Sequence, residues 1–173
     1  MRYTNADRQG GDAAVRSPLE TLVKGFGMEL LELDVFRGKP RRDKSRSGSP
    51  GTVQIRAVVY KPGPIGAGGA ISIEDCSKAH RAMMPCLEEA FPGLDLSVEV
   101  SSPGINRQIR DGLEFACYRG RGVRCWRTDI SDWSAGVLEA ADGQGITIKG
   151  KEGTIRLDYE IIAKARLDPS QEE

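Results

Sequence analysis

The chain has 173 residues with 25 basic and 25 acidic side chains; 39% are hydrophobic and 29% charged. That is one large domain or two small ones of soluble globular composition. No apolar run approaches the ~20 residues that span a bilayer, and the first sixteen residues lack the apolar core of a secretory signal, so a cytoplasmic address is expected.

Residues 1–16 are polar and aperiodic and read as a flexible arm. Ser17-Pro18-Leu19-Glu20 then signals a helix start, with serine as cap, proline in the first turn and Glu20 closing a capping box. Leu19, Leu22, Val23 and Phe26 share one helical face, and Gly25 and Gly27 stop the helix. From Met28 the period falls to two: Leu31, Leu33 and Val35 alternate with Glu32 and Asp34, as in a strand with one buried face.

Residues 37–51 interrupt the pattern. Arg37, Lys39, Arg41, Arg42, Lys44 and Arg46 against Asp43 give this stretch a charge of +5. A second strand follows at 53–60, so the insert reads as a lengthened hairpin loop. It is either a mobile phosphate-seeking arm or a tolerated solvated insertion. After a Gly/Pro-rich turn at 62–69, Ser72-Ile73-Glu74-Asp75 opens a helix with acids in its first turn, where the helix dipole favours them. Ile73, Cys76, His80, Met83, Met84 and Leu87 recur at helical spacing, and Pro85 is expected to kink or divide the helix. Leu96, Val98 and Val100 form a third strand.

The N-terminal domain, 17–102, is therefore an α-β-β-α-β unit with two helices on a three-stranded sheet. Residues 103–112 read as a linker, and 169–173 as a tail. Between them, 113–168 hold a turn of helix at Leu113-Glu114-Phe115 and five close-spaced strands at 122–127, 134–140, 145–149, 154–157 and 161–167. Such a run suggests a small barrel that removes its exposed edges by curling closed. The fold class is α+β followed by a small all-β barrel.

Charge is segregated. Residues 105–127 hold Arg107, Arg110, Arg119, Arg121, Arg124 and Arg127 against two acids, a balance of +4, whereas residues 72–100 carry −4. A local positive field binds phosphate even on a neutral protein. Trp126 beside these arginines is either a stacking platform for bases or a barrel-core tryptophan. The four cysteines form no Cys-x-x-Cys pair, and a zinc site or disulfide is not expected. Cys76 and His80, four apart on a helix, are either a nucleophile and its base or, preferably, neighbours on a helix face. Neither phosphate-cradling loop nor nucleophile elbow is present, so no enzyme activity and no cofactor are expected.

The segment from Val98 to Ile109, VEVSSPGINRQI, is the most informative. Ser101-Ser102-Pro103-Gly104 ends a strand in a turn that asks glycine for a positive φ. The segment resembles that of the ribosome maturation factor RimP family, Val-Ser-Ser-Pro-Gly-aliphatic-Asp-Arg-Pro-aliphatic, with Asn106 and Gln108 standing where the family has aspartate and proline. Gly25-Phe26-Gly27-Met28-Glu29-Leu30, Ile73-Glu74-Asp75-Cys76 and the closing strands are similar too.

The resemblance implies an Sm-like (SH3-like) barrel and a non-enzymatic assembly factor for the immature small ribosomal subunit. It further implies binding to small-subunit rRNA and to ribosomal protein uS-twelve. Arg107, Arg110, Arg119, Arg121, Arg124, Trp126 and Arg127 are the candidate rRNA contacts, and the 37–46 loop an auxiliary one. Ser101, Ser102, Pro103, Gly104 and Asn106 form the junction motif. Glu74, Asp75, Glu88 and Glu89 are the candidate face for a basic partner protein. A monomer without membrane or small-molecule partners is expected. The competing reading is a general Sm-like RNA-binding module without ribosomal specificity.

Overall fold

The structure, a computed structural model, describes residues 13–38, 51–62 and 71–172. The arm before residue 13 and the loop cations Lys39, Arg41, Arg42, Lys44 and Arg46 lie outside these residues. The described chain falls into two compact units, one ending at Pro103 and the other beginning at Gly104.

In the first unit, helix α1 spans Ala13–Lys24. It starts a turn earlier than the Ser17 signal predicted, because Val15 extends the apolar stripe: Val15, Leu19 and Val23 are all buried. Ser17 therefore lies inside the helix, and Glu20, instead of closing a capping box, meets Arg16 at 2.8 Å. Phe26, placed on the apolar face by spacing, falls beyond the helix end and is 49% exposed. Gly27 reverses the chain at φ 68°, a conformation that costs a side chain with a Cβ.

Strands β1 (Glu29–Arg37), β2 (Thr52–Tyr60) and β3 (Asp95–Ser101) form a sheet in the order β1-β2-β3. The first two pair antiparallel. The third runs parallel to β2, an arrangement that needs a crossover connection between the two strands. A bulge between Leu30 and Glu32 breaks the strict alternation, so that Leu30 and Leu31 are both buried.

The crossover is α2, Ile73–Ala90. Its Ser72 hydroxyl accepts from the Asp75 amide, and the Asp75 carboxylate accepts from the Ser72 amide at 2.9 Å. These two bonds form a capping box at the helix start read from Ser72-Ile73-Glu74-Asp75. The helix runs unbroken past Pro85, contrary to the expected division. Pro85 and Arg81, whose carbonyl loses its amide partner, both lie on the exposed side, where the loss is cheapest. Ile73 is 89% exposed, and Ala79, Met83 and Leu87 carry the buried stripe instead. These side chains and those of α1 pack on Leu30, Leu33, Val53, Ile55, Ala57 and Val59 to form one core.

The second unit holds a six-stranded antiparallel sheet in the order β4-β9-β5-β6-β7-β8. Its strands are β4 (Gln108–Ile109), β5 (Gly122–Arg127), β6 (Asp132–Ala141), β7 (Gly145–Gly150), β8 (Gly153–Asp158) and β9 (Ile162–Leu167). Within the segment read as a linker, Gln108 and Ile109 pair with Arg166 and Ala165. Helix α3, Gly112–Cys117, is capped by the Asp111 carboxylate and buries Phe115.

The stretch read as a tail, 169–173, is anchored through Glu172, and Asp168 just before it is paired as well. The Asp168 amide donates to the Gly122 carbonyl at 2.8 Å, and the Glu172 carboxylate accepts from the Gly122 amide at 3.0 Å. A Cβ on Gly122 would stand 2.1 Å from the Asp168 carbonyl oxygen, so only glycine permits this approach. Among the described residues no helix is long and apolar enough to cross a membrane.

Candidate nucleic-acid interface

The arginines picked out by sequence do not form one open face. Arg107 is almost buried and joined through its Nε to the Glu114 carboxylate, itself 2% exposed. Glu114 also accepts from the Arg110 amide at 2.7 Å, so this carboxylate ties the segment after Gly104 to α3. Arg121 meets Glu172 at 2.9 Å with both side chains largely covered. Arg124 meets Asp168 at 2.8 Å and is a third exposed. Arg127 pairs with neighbouring Asp129, whose hydrogen bonds raise the guanidinium pKa further. Arg110 and Arg119 are exposed on either side of α3. Local carboxylates thus hold four of the six guanidinium groups, and an arginine count overstates the positive charge on offer.

A different cluster stands out on the neighbouring strands. In β5, Val123 and Cys125 are buried, so Arg124 and Trp126 point to the other face. Register puts Trp126 opposite Trp133 on β6 and opposite Lys164 on β9, with Arg124 opposite Arg166. Residues directly opposed across strands share a face.

Five side chains therefore meet there. The two indoles make an edge contact at 77° with centroids 5.4 Å apart. Lys164 Nζ lies 5.6 Å from the Trp126 centroid and 5.4 Å from that of Trp133. The Arg166 and Arg124 guanidinium carbons are 5.4 and 5.9 Å from Trp133. Both indoles are half-buried on this outer face, so Trp126 is not a core residue.

Rings at these distances attract cations by about 0.5–1 kcal/mol each at exposed sites. They offset the repulsion of three like charges gathered in one patch. Lys164 and Arg166 have no carboxylate partner among the described residues, in contrast to Arg124. Burial works to raise the Asp168 carboxyl, but the Ser170 hydroxyl and the Arg124 guanidinium outweigh it and hold the pKa below the ordinary value. Asp168 thus stays ionised and holds Arg124 against the sheet.

Sequence reasoning missed Trp133, Lys164 and Arg166. The signal for the last two was present: Lys164 and Arg166 alternate with Ala165 and Leu167, as outward positions of a strand must. Other expected residues are placed differently. Gly104 takes φ 75°, as the Pro-Gly turn requires. Ser101 ends β3, and Ser102 and Asn106 are exposed. Arg37 lies over the Phe91 ring at 5.6 Å.

Asp75, the third helical residue of α2, closes the capping box onto the Ser72 amide and pairs with Lys61 at 2.9 Å. The Ser72 amide and then the Lys61 ammonium hold its pKa at about 2. Glu74 meets Lys78 at 3.7 Å. Glu88 and Glu89 are exposed roughly 21 Å further along the helix, given 1.5 Å rise per residue, so these four acids form two separate groups.

Cys76 and His80 line a groove of about 460 Å³ with Val98 and Val100. Burial raises the Cys76 thiol, and the Asp75 charge adds to this, which disfavours the thiolate that a nucleophile needs. Among the described residues no group of His, Cys, Asp or Glu is arranged to hold a metal.

Comparison with known proteins supplies the lineage. No protein-family model matches the chain. It is 26% identical over 156 residues to the ribosome maturation factor RimP of Borrelia turicatae (strain 91E135), covering 90% of this chain and 95% of that protein. It is 33% identical over 105 residues to the ribosome maturation factor RimP of Rippkaea orientalis (strain PCC 8801 / RF-1), covering 58% of this chain and 68% of that one. The chain belongs to the ribosome maturation factor RimP family.

Proposed function

We propose that this protein is a non-enzymatic, cytoplasmic assembly factor of the small ribosomal subunit that grips rRNA through the outer face of β5, β6 and β9. The observation that carries the reading is the gathering of Arg124, Lys164 and Arg166 around Trp133. Cations held in place by aromatic rings are preorganised for phosphate, and arginine adds a planar fork that matches phosphate oxygens. Arg110 and Arg119 are the further candidates from the original set. Arg107 and Arg121 are assigned to holding the fold.

The six-stranded sheet is taken as an Sm-like barrel, its closure helped by the irregularities at Trp126/Arg127 and Leu138/Ala140. The acids Glu74, Glu88 and Glu89 on α2 are offered to a basic partner, the small-subunit ribosomal protein uS-twelve. The protein acts as a monomer.

Sucrose-gradient fractionation tests this reading. The protein should comigrate with immature small subunits and leave mature ones. Equal sedimentation with mature subunits and unrelated RNA would instead make it a general RNA-binding module.

A further inference from the structure

The two tryptophans differ in their surroundings. Trp133 is approached by three cations, within 5.4–5.9 Å of its centroid, and Trp126 by Lys164 alone. Lys164 is exposed and carries its charge on a flexible four-carbon stem, whereas the guanidinium groups beside Trp133 are rigid and stack well. The occupant of Trp126 is thus the one most easily exchanged. A sheet that presents aromatic rings on adjacent strands, flanked by cations, is also the arrangement by which single strands are held: bases stack on the rings and the backbone follows the positive charge. Bases inside a duplex are already stacked on their neighbours and offer no free face to such a ring.

We infer that this face is a binding site for unpaired nucleotides, with Trp126 stacking a base and Trp133 anchoring the cations that hold the adjoining phosphates. The inference deepens the RNA reading of the same face and rests on it. When a base settles on Trp126, the Lys164 ammonium swings from the ring to a phosphate oxygen, so one step supplies both stacking and charge neutralisation. Arg124 and Arg166 keep their places against Trp133, and Asp168 limits how far Arg124 can follow the ligand.

The molecule provides its own reporter, because these are the only two tryptophans in the chain. Fluorescence excited where tryptophan absorbs and the chain's four tyrosines do not therefore reads this site. The full-length protein is titrated at low salt with a short oligouridylate, an RNA duplex of equal length, and an abasic ribose-phosphate strand. The oligouridylate should quench emission, the duplex should leave it unchanged, and the abasic strand should bind more weakly with little quenching. Trp133→Phe, which leaves Trp126 as the sole emitter, should keep the quenching. Trp126→Ala should weaken oligouridylate binding roughly fivefold to hundredfold, the range expected for loss of one stacked base.

Trp126→Phe, which keeps a ring, should recover most of that affinity and guards against misfolding as the cause. Unchanged affinity in Trp126→Ala, or equal quenching by the abasic strand, would overturn the stacking site while leaving the phosphate grip intact. Binding of none of the three nucleic acids would overturn the RNA reading of the face as well.

Discussion

Trp126 on β5 faces Trp133 on β6 across one register position, and their rings cross at 77° with Lys164 within 5.6 Å of both. The pair is a structural unit as well as a candidate ligand site. Aromatic pairs add about 0.5–1.5 kcal/mol beyond their area burial, and each exposed cation on a ring adds about 0.5–1 kcal/mol. Trp133→Ala is therefore expected to destabilise the protein by roughly 2–4 kcal/mol, read by urea denaturation. It should also release Arg166 and weaken RNA binding. Trp126→Ala, which removes the edge contact and one cation, should cost less.

Arg107 and Glu114 are expected to act on stability. Glu114 is 2% exposed and Arg107 10%, so truncating Arg107 strips a buried carboxylate of its guanidinium, a loss of about 3–5 kcal/mol. Arg107→Ala should lower the urea midpoint sharply, with the slope of the transition unchanged. Where that variant remains folded, its RNA affinity should match the wild type.

Asp75 carries a pH signature. Its folded carboxyl titrates at about 2 against an ordinary 3.8, so the charged form is the one the fold prefers. The stability it contributes is in place above the ordinary value and is lost as the pH falls through 3.8 toward 2. Asp75→Ala should cost about 1 kcal/mol at neutral pH, a typical net value for a lost hydrogen bond. The gap between variant and wild type should close on acidification across that window. A gap that is constant from neutral to acid pH would contradict the assignment.

The thiols should behave as packing groups. Burial pushes Cys125 up to about 12, and Cys76 is raised as well. Native protein treated with a thiol-alkylating reagent at mildly alkaline pH should leave Cys125 unmodified until denaturant is added. Cys76→Ser should leave comigration with immature subunits intact.

Much of the architecture was legible in the residues. Alternation located β1, β2, β3 and the five long strands of the second unit, even though β8 buries only Leu157. The helix start at Ser72-Ile73-Glu74-Asp75 was legible because acids in a first turn suit the helix dipole. Ser17 misled because an equally good start can sit inside a helix when Val15, one turn earlier, also finds the core. Pro85 misled because its cost depends on whether the orphaned carbonyl faces solvent, a tertiary fact.

The site was half legible. Arginine counting found Arg124, and Trp126 was noticed beside it. Pairing of Arg107 with Glu114, Arg121 with Glu172 and Arg124 with Asp168 depends on contacts 7 to 51 residues apart, which no linear reading exposes. Trp133, Lys164 and Arg166 join the patch only through strand register.

The decisive measurement is the salt dependence of RNA affinity in three proteins: wild type, Lys164→Ala/Arg166→Ala, and Arg121→Ala. Each phosphate contact to a single strand adds about −0.7 to the slope of log affinity against log salt. The double variant should flatten the slope by about 1.4 for its two lost contacts, while Arg121→Ala keeps the wild-type slope. An unchanged slope in the double variant, with flattening in Arg121→Ala, would place the RNA grip elsewhere and contradict the account.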